Sequence, residues 1–237
     1  MLPNSLFTHR IPTLALVNDR QAFIANACKN RSVLHLGCAA WPFTRQSLSD
    51  GSLLHMTLEK VSKRVVGIDI SEEGLSLLRS AGFVECINWD VEKLDELQID
   101  EPIEIIVAGE ILEHLSNPGL CLRSISQFMK HHRSVLLVSV PNAFCLRRLV
   151  TLIFRRTELV HPEHTAYYSV ATLSELLRRY HLNIRELYAY SDLTSASTPL
   201  KRFVKLAANA SLFRFAPQIS EGIIAIAESS DERCSQN

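Results

Sequence analysis

The sequence predicts an α/β fold, a doubly wound, mostly parallel sheet of seven strands with helices on both faces and a helical insertion. Three observations carry this. Short β-branched or leucine-rich runs alternate with helix-period segments from about residue 18 to residue 142. The runs are spaced widely enough to supply the crossovers that parallel neighbours need. The first run, Ser32 to Leu36, stops at the small residues Gly37, Cys38, Ala39 and Ala40. A buried strand ending this way lets a ligand approach the backbone, and open α/β sheets bind ligands just beyond the carboxyl ends of their strands.

The totals narrow the class. A chain of 237 residues that is 47% hydrophobic supports a single domain, residues 1–237, with an elaboration. A formal net charge of zero argues against a nucleic-acid partner, which leaves a basic footprint. The six cysteines form no Cys-x-x-Cys pair and several lie inside apolar runs, as reduced thiols of a cytoplasmic protein do. Met1 to Ile11 lacks the pattern of a secretory signal, and no apolar run reaches transmembrane length. Residues 229–237 are polar and are expected to form a flexible tail.

In order, residues 1–17 read as an arm. Asn18 caps a helix to about Lys29, with Phe23, Ile24, Ala27 and Cys28 inward. The first strand, 33–37, is followed by a Trp41-Pro42-Phe43 loop and a helix over 53–61. Arg64 to Ile70 is the second strand, and Ser71 caps a helix that carries Glu72 and Glu73 where the helix dipole favours acids. Strands follow at 83–88 and 103–108, then a short helix over 111–115 with Glu113 and His114. Asn117 and Pro118 start a helix whose buried stripe is Leu122, Ile125, Phe128 and Met129. The fifth strand is 135–140, closed by Pro141 and Asn142.

The alternation then pauses. Residues 143–156 are apolar and basic, and His161-Pro-Glu-His164 and Tyr167-Tyr168 follow. Thr172 and Glu175 have capping-box spacing at the head of a helix. The sixth strand is 183–190, a further amphipathic helix is expected over 199–210, and 222–227 is a last strand that can enter the sheet differently. Because 143–182 breaks the regular pattern, it is assigned to recognition of a second ligand.

The first turn disfavours a dinucleotide. From Gly37 the chain reads Gly-Cys-Ala-Ala-Trp-Pro, without the Gly-x-Gly-x-x-Gly fingerprint, and no phosphate loop of the Gly-x-x-x-x-Gly-Lys kind occurs. An adenosine ligand without phosphates fits better.

The ordered set Val33-Leu-His-Leu-Gly-Cys-Ala-Ala40, Val65-Val-Gly-Ile-Asp-Ile-Ser71, Asn88-Trp-Asp90 and Ile105-Ile-Val-Ala-Gly-Glu-Ile-Leu-Glu-His-Leu115 resembles the class I S-adenosylmethionine-dependent methyltransferases. Glu-Ile-Leu-Glu-His is similar to the small-molecule branch that includes quinone-modifying enzymes. The His-x-x-His-x-x-Tyr-Tyr-Ser stretch is similar to methyltransferases of bacterial glycan biosynthesis. The resemblance implies a Rossmann-like methyltransferase fold and S-adenosyl-L-methionine as cofactor. It places Gly37, Cys38 and Ala39 under the methionine part, Asp69 on the ribose hydroxyls, Ile70 on adenine, Trp89 and Asp90 at the adenine amino group, and Glu110 beside the methionine end. Two features depart from the family pattern: His35 stands where an acid is usual, and Ala39 and Trp41 stand where glycines are usual.

For the chemistry, His114, His161 and His164 are candidate bases, since imidazole titrates near neutral pH. Glu113, Asn142, Tyr167 and Tyr168 are candidate acceptor contacts. Two histidines three apart are weak evidence for a metal, and none is expected. The expected acceptor is a small molecule, a hydroxyl of a sugar-containing metabolite or glycan precursor. The basic apolar stretch 144–156 admits peripheral contact with a membrane surface. The competing reading is a degenerate scaffold of the same fold that binds without catalysing.

Overall fold

A computed structural model describes residues 8–191 and 211–230. Eight strands form one sheet in the order β1-β7-β8-β6-β5-β2-β3-β4. They are β1 Ala15–Val17, β2 Ser32–Leu36, β3 Arg64–Asp69, β4 Cys86–Asn88, β5 Ile105–Gly109, β6 Val135–Pro141, β7 Leu182–Tyr190 and β8 Gly222–Ser229. The helices between them are α1 Arg20–Ala27, α2 Thr44–Asp50, α3 Leu54–Val61, α4 Glu72–Ser80, α5 Pro118–His132, α6 Leu146–Arg155, α7 Val170–Arg179 and the one-turn α8 Leu212–Phe215.

Period-two alternation divides the strand side chains between two faces. Leu34, Leu36, Ile106, Leu136 and Val138 pack with Leu122, Ile125, Phe128 and Met129 of α5 and with Leu173 and Leu177 of α7. Val33, Val107, Leu137 and Ile224 pack on the other face with Ile24 and Cys28 beside α1 and with Leu54 and Leu58 of α3. The α/β class and the doubly wound sheet thus agree with the sequence expectation.

The differences have physical reasons. The arm contains a strand: Ala15, Leu16 and Val17 pair in parallel with Tyr188, Ala189 and Tyr190, so the sheet has eight strands rather than seven. Three residues are too short a run to show periodicity. The first helix is capped by Asp19, whose carboxylate accepts from Ala22 N, not by Asn18. Helix α2 was not anticipated because Leu48 is its one large apolar residue. Its start is held instead by the buried Thr44 hydroxyl donating to Ala39 O at 2.6 Å. The capping box of α7 pairs Ser169 with Thr172, one turn before the expected Thr172–Glu175 pair. Glu175 is spent on ion pairs with Arg178 and Arg179. Strand β8 runs antiparallel to both neighbours, wedged between β6 and β7. The helix expected over 199–210 lies outside the described residues, as does most of the expected tail, although Ser229 closes β8.

The chain runs outward from β2 through β3 to β4, then returns to β5 and β6 on the other side of β2. The order therefore reverses between β2 and β5, and in open α/β sheets the ligand crevice lies at such a point, at the carboxyl ends of the strands.

Candidate active site

The β2 side of the crevice is a tight turn. Gly37 has φ of +68° and donates to Ile68 O, as does Cys38. A Cβ on Gly37 would lie 2.9 Å from Ile111 Cδ1, so the loop after β5 packs closely on a turn whose left-handed backbone already favours glycine. Asp69, at the end of β3, ties the turn to the next helix. One carboxylate oxygen accepts from Ala39 N and the other from Ser71 N, both at 2.9 Å. An ionised carboxylate offers about four lone-pair sites, which leaves two for a ligand. Ile70 beside it is 75% exposed and offers an apolar surface at the crevice. Trp41 is half-exposed and does not fill the turn, whose inner side is met by Ile111 instead. His35, where an acid is usual, is buried and pairs with His55 of α3 through their Nδ1 atoms at 3.2 Å. Burial, with the neighbouring His55 and then Arg20, holds it well below the usual histidine range. Asp90 caps a 3-10 turn by accepting from Glu92 N, and Trp89 donates its indole N–H to Lys93 O.

The β5 side carries the acids and imidazoles. Glu110 has φ of +55° and its N–H is held by Ser139 O. Its carboxylate accepts from the Tyr190 hydroxyl at 2.9 Å. Burial, then the Glu110 charge, pushes that phenol well above its usual value, so it remains a donor. Arg20 stands 5.9 Å from the Tyr190 ring and donates to the Ser139 hydroxyl. Arg20, Ser139 and Tyr190 were not singled out in the sequence. They lie on α1, β6 and β7, and only the sheet order brings them to Glu110.

Glu113 is fully buried and neither carboxylate oxygen has a hydrogen-bond partner. Desolvation, and then the charge of Glu110, pushes it up to about 9, so it holds its proton at neutral pH. The segment is tied to the later loop by Thr165, whose N–H donates to Glu113 O at 2.7 Å and whose hydroxyl donates to Leu115 O at 2.8 Å. That tie brings His161 and His164 against His114. The ring centroids are 4.6 Å apart for His114–His164, 5.3 Å for His114–His161 and 5.4 Å for His161–His164. One nitrogen from each ring lies within 4.8 Å of the others. Burial lowers His114, and burial together with the neighbouring imidazoles lowers His164 to about 4. Both are neutral at pH 7 and able to accept a proton. Three converging imidazoles are also a donor set that can hold a divalent cation. The His161-x-x-His164 spacing alone did not reveal this, because the third donor is distant in sequence.

The remaining candidates divide. Tyr167 is exposed beneath the Arg148 guanidinium. Tyr168 is buried and donates to Leu112 O. Asn142 is buried with its side chain committed to the chain: it donates to Gln218 O and Ser220 O and accepts from Phe144 N.

Residues 8–187 match the family described as a methyltransferase domain. The chain belongs to that family. The methyltransferase resembles solved structures across nearly all of its length. A putative methyltransferase from Bacillus halodurans C-125 is 14% identical with a TM-score of 0.54, covering 90% of this chain and 99% of that one. An S-adenosylmethionine-dependent methyltransferase from Archaeoglobus fulgidus is 15% identical with a TM-score of 0.51, covering 88% and 94%. A putative methyltransferase from Haloferax volcanii, solved with the activator Trm112, is 15% identical with a TM-score of 0.53, covering 90% and 89%. Among curated proteins none matches the sequence. These identities establish the fold and leave the acceptor open. Family and fold support S-adenosylmethionine as the cofactor of this methyltransferase, and the glycine turn, the spare acceptors of Asp69 and the bare Ile70 surface fit its methionine, ribose and adenine parts.

Proposed function

We propose that the chain catalyses methyl transfer from S-adenosylmethionine to a hydroxyl of a small, sugar-containing acceptor. The convergence of His114, His161 and His164 beside the buried Glu113 carries this reading. Bound S-adenosylmethionine would supply an electrophilic methyl group, with the sulfide as its leaving group. The protein's share is to hold the oxygen in line and take its proton. Neutral imidazoles suit a hydroxyl, which must lose a proton as it attacks. Protonated Glu113, fully buried and without a partner among the described residues, would donate to a second acceptor oxygen once the acceptor opens a path to it. Asp69 would hold the ribose, Ile70 the adenine, and Glu110, fixed by Tyr190, the methionine end. Segment 143–182 would supply the acceptor's walls, with Tyr167 at the mouth.

The test is titration with S-adenosylhomocysteine, followed by transfer of labelled methyl from S-adenosylmethionine to a panel of sugar hydroxyls. Binding with transfer that is lost in His114→Ala supports the reading. Binding without transfer to any acceptor supports the scaffold, and full turnover in His114→Ala removes the imidazole from the mechanism.

A further inference from the structure

Helix α6 is out of place on a water-soluble surface. None of its residues is buried, yet six of its ten are large and apolar: Leu146, Leu149, Val150, Leu152, Ile153 and Phe154. At 3.6 residues per turn they form one unbroken face, more than half of the circumference. Exposure rises outward to 70% at Ile153 and 80% at Phe154. The opposite face holds Arg147, Arg148, Thr151 and Arg155, and Arg156 follows at the carboxyl end. Residues 143–157 contain no acid at all, although the whole chain is neutral.

We propose that α6 is an interfacial helix that seats the protein on an anionic lipid surface. A large apolar face with arginines at its edges is what an in-plane helix needs: the face enters the acyl boundary while the guanidinium groups meet the headgroups. Arg147 borders Phe154 on one rim and Arg148 borders Leu152 on the other, so both rims are basic. The charge also argues against a second copy as the occupant. Pairing two such helices face to face would bring two sets of arginines together with no acid to offset them. No described helix is long and apolar enough to cross a membrane, so the contact is peripheral.

The position of α6 gives the contact a consequence. Its head is anchored by buried Cys145 beside Asn142, at the carboxyl end of β6. Arg148 donates to Asn142 O and covers Tyr167. A protein seated on α6 therefore presents the Tyr167 mouth to the lipid surface, and an amphiphile held there could enter without leaving it. This last step rests on the proposed function; the lipid contact itself does not.

Co-sedimentation of the full chain with phosphatidylcholine vesicles, with and without phosphatidylglycerol, tests it. The wild-type protein should bind the anionic vesicles, weakly or not at all the neutral ones, and release in salt. Ile153→Glu/Phe154→Glu should abolish binding. Arg155→Gln/Arg156→Gln should weaken it about thirtyfold, at roughly one kilocalorie per basic residue near the surface. Failure of the wild type to bind either vesicle overturns the proposal, as does binding retained by the double glutamate variant. Self-association that the glutamates abolish would assign the face to a second copy instead. Both residues are exposed, so the glutamate variant should keep its melting temperature. A marked drop would mean that the face is covered from within the chain. S-adenosylhomocysteine titration of the same variants reads the active site separately.

Discussion

The two sides of the crevice are finished to different degrees. On the β2–β3 side the polar groups have partners within the chain: both Asp69 oxygens, the Thr44 hydroxyl and the Ser71 hydroxyl are each bonded to backbone. On the β5–β6 side both Glu113 oxygens and the buried Nδ1 of His164 have none among the described residues, and Phe144, Ile153 and Phe154 lie open to solvent. Satisfying buried polar groups internally makes a rigid mould, whereas leaving them unmet commits them to something that arrives. The comparison teaches that the half finished in advance is the one the proposed function gives to the cofactor, and that the half left open is the one it gives to the acceptor.

The sharpest way to break this comparison is Asp69→Ala. It removes the brace of the mould together with the expected ribose contact. Affinity for S-adenosylhomocysteine should fall by about a hundredfold or more, as loss of charge-assisted hydrogen bonds implies. Calorimetry that finds wild-type affinity would unseat Asp69 from the site. Next in size is His114→Ala, expected to lower turnover by about a hundredfold or more as removal of a general base does, with cofactor affinity unchanged. Equal losses of affinity and turnover would place His114 in the mould rather than in the unfinished half.

Glu113→Gln should sharpen the comparison through stability. A carboxyl raised to about 9 in the folded chain, against an ordinary value of 4.5, binds more protons folded than unfolded between those limits. Its contribution is full below about pH 4.5 and is lost as pH rises towards 9. The variant should therefore lack that slope and melt a few degrees higher than wild type near pH 8, while the two converge in acid. Identical pH profiles would show that Glu113 is solvated. The smallest effect has the opposite sign. His164 is lowered to about 4 from 6.5, so it binds fewer protons folded than unfolded in that interval. Its contribution is intact above pH 6.5 and is lost as pH falls towards 4. His164→Asn should flatten the acid limb of the melting profile slightly, and an unchanged limb would exclude it.

The same division governs what could be read from the sequence. Asp69, Gly37 and Glu110 stand at the ends of apolar strand runs, and their expected roles come from the resemblance of the ordered motifs rather than from the strands themselves. Ser71 announced its helix because a cap is a local interaction, confirmed by its hydroxyl accepting from Gly74 N. Helix α2 stayed hidden because its hold, Thr44 on Ala39, is tertiary in origin. The three histidines were visible one by one, but their meeting depends on Thr165 reaching back to Glu113 and Leu115, and no spacing encodes that. Tyr190 and Arg20 lie 80 and 90 positions from Glu110 along the chain, and they are joined to its site by the order of strands.

Strand β8 has a consequence for how the molecule comes into being. It is the last described strand to be synthesised, yet it lies between β6 and β7. Gly222 at its head leaves room for the Tyr190 ring, which a Cβ there would meet at 2.1 Å. Until this strand emerges from the ribosome, β7 and β1 have no partner to join them to the sheet, and Tyr190 cannot reach Glu110. The nascent chain can assemble the cofactor mould early from β2 to β6, but the acid side of its site waits for a contact of long sequence separation, the slow kind in folding.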